Sequence, residues 1–342
     1  MKKYKVAVVG ATGAVGREMI KMLESRSFPI ESIKFLASER SVCQKLVYKG
    51  TKVAVELLTK DGGKDIDIAL FSAGSDVSKE FAPFFAADGC FVIDNSSTWR
   101  MDKNVPLVVP EVNPHDLKKD KRIIANPNCS TIQMVVALKP LHDFAKIKRV
   151  IVSTYQSASG AGQKGINELT EQTKAWARGE TLPVASRFQY QIAFNLIPQI
   201  DVFTENGYTK EEMKMTNETK KIMGDDSIEV SATCVRVPIF RSHSENVWIE
   251  TEKSISPVQA KELLAKANGI QLLDEPENKK YPMPLFAENM QTTYIGRIRA
   301  DISTKNNALT FWVVSDNLLK GAALNAVQIA ETLVKKRICL GK

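Results

Sequence analysis

The stretch that most constrains the fold is VAVVGATGAVG, residues 6–16. A β-branched run leads into Gly10, Gly13 and Gly16, and a segment with helical spacing follows. Glycines three apart let a strand-to-helix turn tighten until backbone N–H groups can approach an anion. The positive end of the following helix adds to that attraction. Glycine triplets alone are a weak signal, but here a strand precedes and a helix follows, as the motif requires. Gly10, Thr12, Gly13, Ala14, Val15 and Gly16 are therefore expected to hold the pyrophosphate of a dinucleotide. The plainer alternative is a tight turn with no ligand.

The same grammar repeats. IKFLAS, DIDIALFSAG, CFVIDNSS, PLVVPEV and RIIANPN are apolar runs that each end in Gly, Ser, Asn or Pro and alternate with helix-like segments. That pattern predicts a parallel sheet with both faces covered, hence a doubly wound nucleotide-binding domain over 1–127. From about Lys148 the runs lengthen and several alternate, as in RVIVSTYQSASGAG, SIEVSATCVRVPIF, NVWIETEKSIS, IGRIRADIS and LTFWVVSD. They predict a mixed or antiparallel sheet with one covered face, with helices at 163–178, 256–267 and 318–337. A chain of 342 residues is too long for one ordinary core, so two domains are expected.

Composition removes several classes. The net charge is +8, but the basic runs at 118–122 and 335–342 are short and carry no interleaved aromatics, so no nucleic-acid partner is expected. No apolar run approaches the ~20 residues that cross a bilayer, and the N-terminal run reads as a strand rather than a leader. The cysteines number five, with no CxxC, which signals neither a disulfide framework nor a metal site and suits a reducing cytoplasm. A modest positive field favours small anions.

Two further stretches carry chemistry. The second strand ends in FLASERS, where Ser38, Arg40 and Ser41 suit the 2′-phosphate of NADP, while Glu39 suits a free ribose hydroxyl. In NPNCST, Cys129 ends a strand-like run and opens a helix, where free N–H groups and the dipole favour a thiolate. The other four cysteines read as small buried hydrophobes. Among the histidines, His115 follows a proline in a loop, His142 lies on the helix that begins near Cys129, and His243 lies beyond a strand end among polar residues.

GATGAVG, ASERS, DNSSTWR, VVPEVN, NPNCST, QSASGAG, IAFNLIPQID, MTNETKKI and RVPIFRSHS occur in this order along the chain. The ordered set resembles the bacterial aspartate-semialdehyde dehydrogenase family over essentially the full length. The resemblance implies a Rossmann-type NADP-binding domain over 1–127, completed by a C-terminal helix over 317–342. It also implies an α+β catalytic and dimerisation domain over 128–316, similar to glyceraldehyde-3-phosphate dehydrogenase. The implied reaction is NADPH-dependent reductive dephosphorylation of L-aspartyl-4-phosphate to aspartate semialdehyde and phosphate, in the biosynthesis of lysine, threonine, methionine and isoleucine. The implied protein is a cytoplasmic homodimer or tetramer with no membrane partner.

By the same resemblance Cys129 is the nucleophile, His243 the acid/base with a pKa near working pH, and Gln156 a substrate-positioning residue. Arg236 clamps the α-carboxylate, Arg100 and Lys214 hold phosphate, and Glu211 faces the amine. Ser159 and Gly160 approach the cofactor, and Asn317 contacts the nicotinamide side. Arg236 and His243 are seven apart, so the chain must bend between them, and Pro238 offers the place. Many relatives have glycine where this chain has Cys43. The nearest rival is N-acetyl-γ-glutamyl-phosphate reductase, whose substrate carries an acylated nitrogen; the other is a non-catalytic NADP-binding protein.

Overall fold

The structure, a computed structural model, describes residues 2–339. In chain order the strands are β1 (Tyr4–Val9), β2 (Ile30–Ala37), β3 (Lys45–Tyr48), β4 (Thr51–Leu57), β5 (Ile68–Phe71), β6 (Phe91–Asp94), β7 (Ile123–Ala125), β8 (Ile147–Gln156), β9 (Glu229–Arg236), β10 (His243–Thr251), β11 (Ile270–Leu272), β12 (Thr293–Ala300) and β13 (Ala308–Ser315). The helices are α1 (Ala14–Ser25), α2 (Ser75–Ala87), α3 (Cys129–Ala145), α4 (Gln163–Ala177), α5 (Lys210–Met223), α6 (Pro257–Lys266), α7 (Pro284–Ala287) and α8 (Leu324–Lys335). The chain divides into two compact units. One runs up to Pro127 and resumes at Ala322; the other is Asn128–Gly321.

The first unit carries a seven-stranded sheet in the order β3-β4-β2-β1-β5-β6-β7, parallel except for the β3–β4 hairpin. The strands β5 and β6 are buried at every position, which is why they read as unbroken apolar runs. Gly10 ends the central strand β1, and β2 and β5 flank that strand on either side, so the glycine turn opens at the carboxyl edge where doubly wound sheets bind ligands. The expected strand at 106–112 is not one: only Leu107 bridges to Ala125, because Pro106 and Pro110 deny the run its ladder donors. The hairpin β3–β4 was not expected. Its turn is Lys49–Gly50, both at positive φ.

The second unit carries a six-stranded mixed sheet in the order β11-β12-β13-β10-β8-β9. One face packs on α3, α5 and α6, where Met134, Ala137, Leu138 and Leu141 of α3 meet Val150, Val152, Val247, Ile249, Phe311 and Val313. Burying such side chains contributes about 1.5–3 kcal/mol each, so this face fixes the register of the sheet beneath α3. Among the described residues, no helix is long and apolar enough to cross a membrane, and no group of three or more His, Cys, Asp or Glu could hold a metal ion. The last three residues of the basic run at 335–342 lie outside the described residues.

Candidate active site

In the first unit, the glycine turn is built for close backbone approach. Gly10 sits at φ +77° with the Ser72 carbonyl 2.8 Å from where a Cβ would lie, and a side chain on Gly16 would overlap the Gly10 carbonyl. Gly13 precedes α1 and offers no side chain to cap it, so the first-turn N–H groups remain for an anion. A cavity of about 620 Å³ opens over the turn, lined by Gly10, Thr12, Gly13, Ser38, Glu39, Arg40 and Ser41 among others. A hydroxyl–hydroxyl bond of 3.1 Å joins Thr12 to Ser41 and ties the turn to the loop after β2. Ser38, Glu39 and Arg40 are exposed at its rim. The donor set fits the pyrophosphate of a dinucleotide. Cys43, just beyond, takes φ +78°, a region where glycine is at ease and any other side chain is strained.

In the second unit, sheet register gathers residues that lie far apart in sequence. Gln156 pairs with Arg236 across β8–β9, and His243 pairs with Ser315 across β10–β13. Ser244 pairs with Tyr155, so continuing that ladder sets His243 opposite Gln156. One row across four strands thus reads Ser315, His243, Gln156, Arg236. Directly opposed residues share a face. The next row down reads Val313, Glu245, Thr154, Cys234, and its Val313 and Cys234 belong to the core beneath α3.

Cys129 is the first residue of α3. Its predecessor Asn128 caps the helix, with Oδ1 accepting the N–H groups of Ser130 (3.0 Å) and Thr131 (3.2 Å). Helix α5 holds Asn128 in turn: Glu211 accepts its side-chain amide at 2.8 Å and Glu218 accepts its backbone N–H at 2.7 Å. The buried Arg236 guanidinium donates to the Ser157 carbonyl at 2.6 Å and lies within electrostatic range of both Cys129 and Glu211. Burial pulls its pKa down while the two neighbours pull it back up, and the net is below the usual arginine value. A positive charge there, with the helix dipole, favours the thiolate of Cys129. Burial pushes the Glu211 carboxyl up, but Lys214, Asn128 and Arg236 outweigh it and hold it below its ordinary value.

His243 is fully buried at the head of β10, not in a polar loop beyond a strand. The Ser157 N–H donates to its Nδ1 at 3.1 Å, so the hydrogen-bond network assigns the ring proton to Nε2. Nε2 has no hydrogen-bond partner among the described residues and lies beside Gly160, where an added methyl group would come within 2.6 Å of Arg236 and 3.3 Å of this nitrogen. Burial, then the Arg236 charge, lowers its pKa to about 3, so the expected titration near neutral pH is corrected: the ring is a neutral donor. The unfolded chain takes up this proton near pH 6.5, well before the folded one. The associated stability is therefore present above about pH 6.5 and is lost as pH falls toward 3. Wild-type melting temperature should accordingly drop more steeply between pH 6.5 and 4 than that of His243→Asn; equal slopes would contradict a neutral buried ring.

The structure brings Cys129, Gln156, Ser159, Gly160, Glu211, Lys214, Arg236, His243 and Asn317 together in the second unit, and sets Arg100 and the glycine turn in the first. Several are already engaged. Arg100 donates to the carbonyls of Asn95 and Ser96 (both 3.0 Å), and Lys214 bridges Asp201 and Glu211 (both 3.0 Å). Asn317 accepts from Ser242 N–H at 2.9 Å and bonds Ser157 and Ser159, which commits its amide to the loops around His243. His115 is exposed, and His142, in the last turn of α3, accepts the Ile147 N–H of β8 through Nδ1 at 3.2 Å. Sequence reasoning missed Asn128, Glu218 and Gly321, whose missing side chain leaves room for Cys129. An Asn before a helical run was a readable cap signal; the other two had none.

Comparison with known proteins agrees with this layout. Residues 5–120 match the semialdehyde dehydrogenase NAD-binding domain, and residues 138–320 match the semialdehyde dehydrogenase dimerisation domain. Aspartate-semialdehyde dehydrogenase of Aquifex aeolicus is 60% identical over 336 residues, covering 97% of this chain and 98% of the relative. The Bacillus subtilis enzyme of the same name is 51% identical, covering 96% of this chain and 97% of the relative. Aspartate semialdehyde dehydrogenase II of Vibrio cholerae, solved with ASA, superposes with a TM-score of 0.95 at 47% identity, over 98% of this chain and 99% of that one. Sequence, fold and domain order thus agree along nearly the whole length, and the chain belongs to the aspartate-semialdehyde dehydrogenase family.

Proposed function

We propose that this enzyme reduces L-aspartyl-4-phosphate with NADPH to aspartate semialdehyde and phosphate through a thioester on Cys129. The observation that carries the reading is the single row of His243, Gln156 and Arg236, with Cys129 held within the field of Arg236. Arg236 offers a planar fork for the α-carboxylate. Glu211, kept ionised, suits a free ammonium and not the acylated nitrogen of an N-acetylglutamyl substrate. Lys214 neutralises the phosphate once it exchanges its present partners. The Cys129 thiolate attacks the acyl carbon, the C–S bond forms, and the C–O bond to phosphate breaks with its electron pair leaving on phosphate.

A thioester carbonyl is electrophilic enough to be reduced, and bound NADPH supplies the hydride. Gln156 and the Nε2–H of His243 then hold the oxyanion before Cys129 departs as thiolate. His243 serves here as a hydrogen-bond donor in its neutral form.

The glycine turn and the Ser38–Ser41 loop would hold the dinucleotide. Arg40, Ser38 and Ser41 support NADP over NAD. Arg40→Ala should weaken NADPH binding by roughly 10–100-fold, the worth of a hydrogen-bonded charge pair, and leave NADH binding unchanged. Equal losses for both cofactors, read by fluorescence titration, would remove Arg40 from 2′-phosphate recognition.

A cytoplasmic homodimer is proposed, supported by the match to the dimerisation domain and by exposed apolar side chains at Trp176, Phe194, Leu196 and Phe203; sedimentation velocity reads the subunit number. The functional test is NADPH formation from aspartate semialdehyde, NADP and phosphate, with NAD and N-acetylglutamate semialdehyde in parallel. Preference for the acetylated substrate would overturn the reading.

A further inference from the structure

The residue before the nucleophile is held from three sides. Asn128 is 5% exposed, and its Oδ1 is spent on the first turn of α3. Its side-chain amide and its backbone N–H both donate to α5, the first to Glu211 and the second to Glu218. Glu211 and Glu218 lie seven residues apart and so share one face of α5, two turns from each other. The two grips are not equivalent. Glu211 also binds Lys214, and in the proposed mechanism it takes the substrate ammonium as well, a further claim on the carboxylate that Asn128 uses. Glu218 is 1% exposed, and the proposed mechanism asks nothing of it toward the substrate. A helix that lets go of Asn128 whenever substrate arrives would release the peptide that aims the sulfur at the moment of attack.

We infer that Glu218 is a positioning residue for Cys129: it anchors the Asn128 peptide permanently, so that Glu211 can trade Asn128 for substrate while the nucleophile stays aimed. The inference rests on the reading of Cys129 as the nucleophile. Toward Asn128 Glu218 supplies a hydrogen-bond acceptor, so glutamine, which keeps a carbonyl oxygen there, should serve and alanine should not.

The test measures kcat, KM, NADP affinity, melting temperature and the rate of Cys129 alkylation by iodoacetamide in Glu218→Gln and Glu218→Ala. A displacement of order 1 Å at a reacting atom costs about 10²-fold in rate. Glu218→Ala should therefore lose about 10²-fold in kcat, with slower alkylation and with KM and NADP affinity little changed. Glu218→Gln should stay within about threefold of wild type on every readout. If the alanine protein does not fold, Glu218→Asp, with its acceptor one methylene short, should show the same loss in kcat. Wild-type kcat and alkylation in the alanine or aspartate protein, or a glutamine protein as slow as the alanine one, would overturn the inference. Alkylation needs no substrate. A wild-type chain inert toward aspartate semialdehyde would sink the functional reading and leave this comparison intact.

Discussion

A Cys129→Ala protein should bind NADPH as the wild type does and lose turnover by at least about 10⁴-fold, because no other group can form the acyl intermediate. Cys129 opens α3, where the dipole and Arg236 both favour the thiolate. The buried Cys234, by contrast, has its thiol pushed well up by burial, so it cannot substitute at neutral pH. Cys129→Ser should be almost as slow, since an oxygen ester is a poorer hydride acceptor than a thioester. Steady-state kinetics beside fluorescence titration of NADPH separate loss of chemistry from loss of fold. Residual turnover within about 10²-fold of wild type would remove the covalent route.

Arg236 should show the second-largest effect. Its guanidinium is buried, holds the Ser157 carbonyl, and balances Glu211 and Cys129. Losing one partner of a buried, hydrogen-bonded charge pair typically costs about 2–5 kcal/mol of binding, so Arg236→Leu should lower kcat/KM on the order of 10³-fold. Arg236→Lys keeps the charge but loses the fork, and its cost should fall mainly on KM for aspartate semialdehyde, by at least about tenfold. The alkylation rate of Cys129 at neutral pH should fall in the leucine protein and largely survive in the lysine one. An unchanged alkylation rate in the leucine protein would separate Arg236 from the thiolate.

Local signals were readable and long-range ones were not. The glycine turn could be read because its requirement is local: a strand, a tight turn and a helix, each with its own residue preferences. The helices at 163–178 and 256–267 were legible in the same way, and the structure places them at Gln163–Ala177 and Pro257–Lys266. The β3–β4 hairpin was missed although Lys49–Gly50 is a turn signal between alternating runs. The run at 106–112 misled because apolarity was read without the cost of its two prolines.

The row of His243, Gln156 and Arg236 could not be read from spacing at all. It depends on register among strands whose partners lie up to 87 residues apart, His243 against Gln156 by continuation of the β8–β10 ladder. The neutral state of His243 was equally hidden. It follows from complete burial beside Arg236, a product of packing and not of neighbouring sequence. Glu218 carried no signal because an acidic residue on a charged helix is ordinarily a solvated one.

The most direct measurement is mass analysis of the protein quenched after mixing with aspartate semialdehyde and NADP in the absence of phosphate. The thioester then has no phosphate to discharge it. The account predicts one aspartyl group on the peptide that carries Cys129, formed with one equivalent of NADPH and released when phosphate is added. NADPH formed with no adduct on that peptide, or an adduct on any other residue, would contradict it.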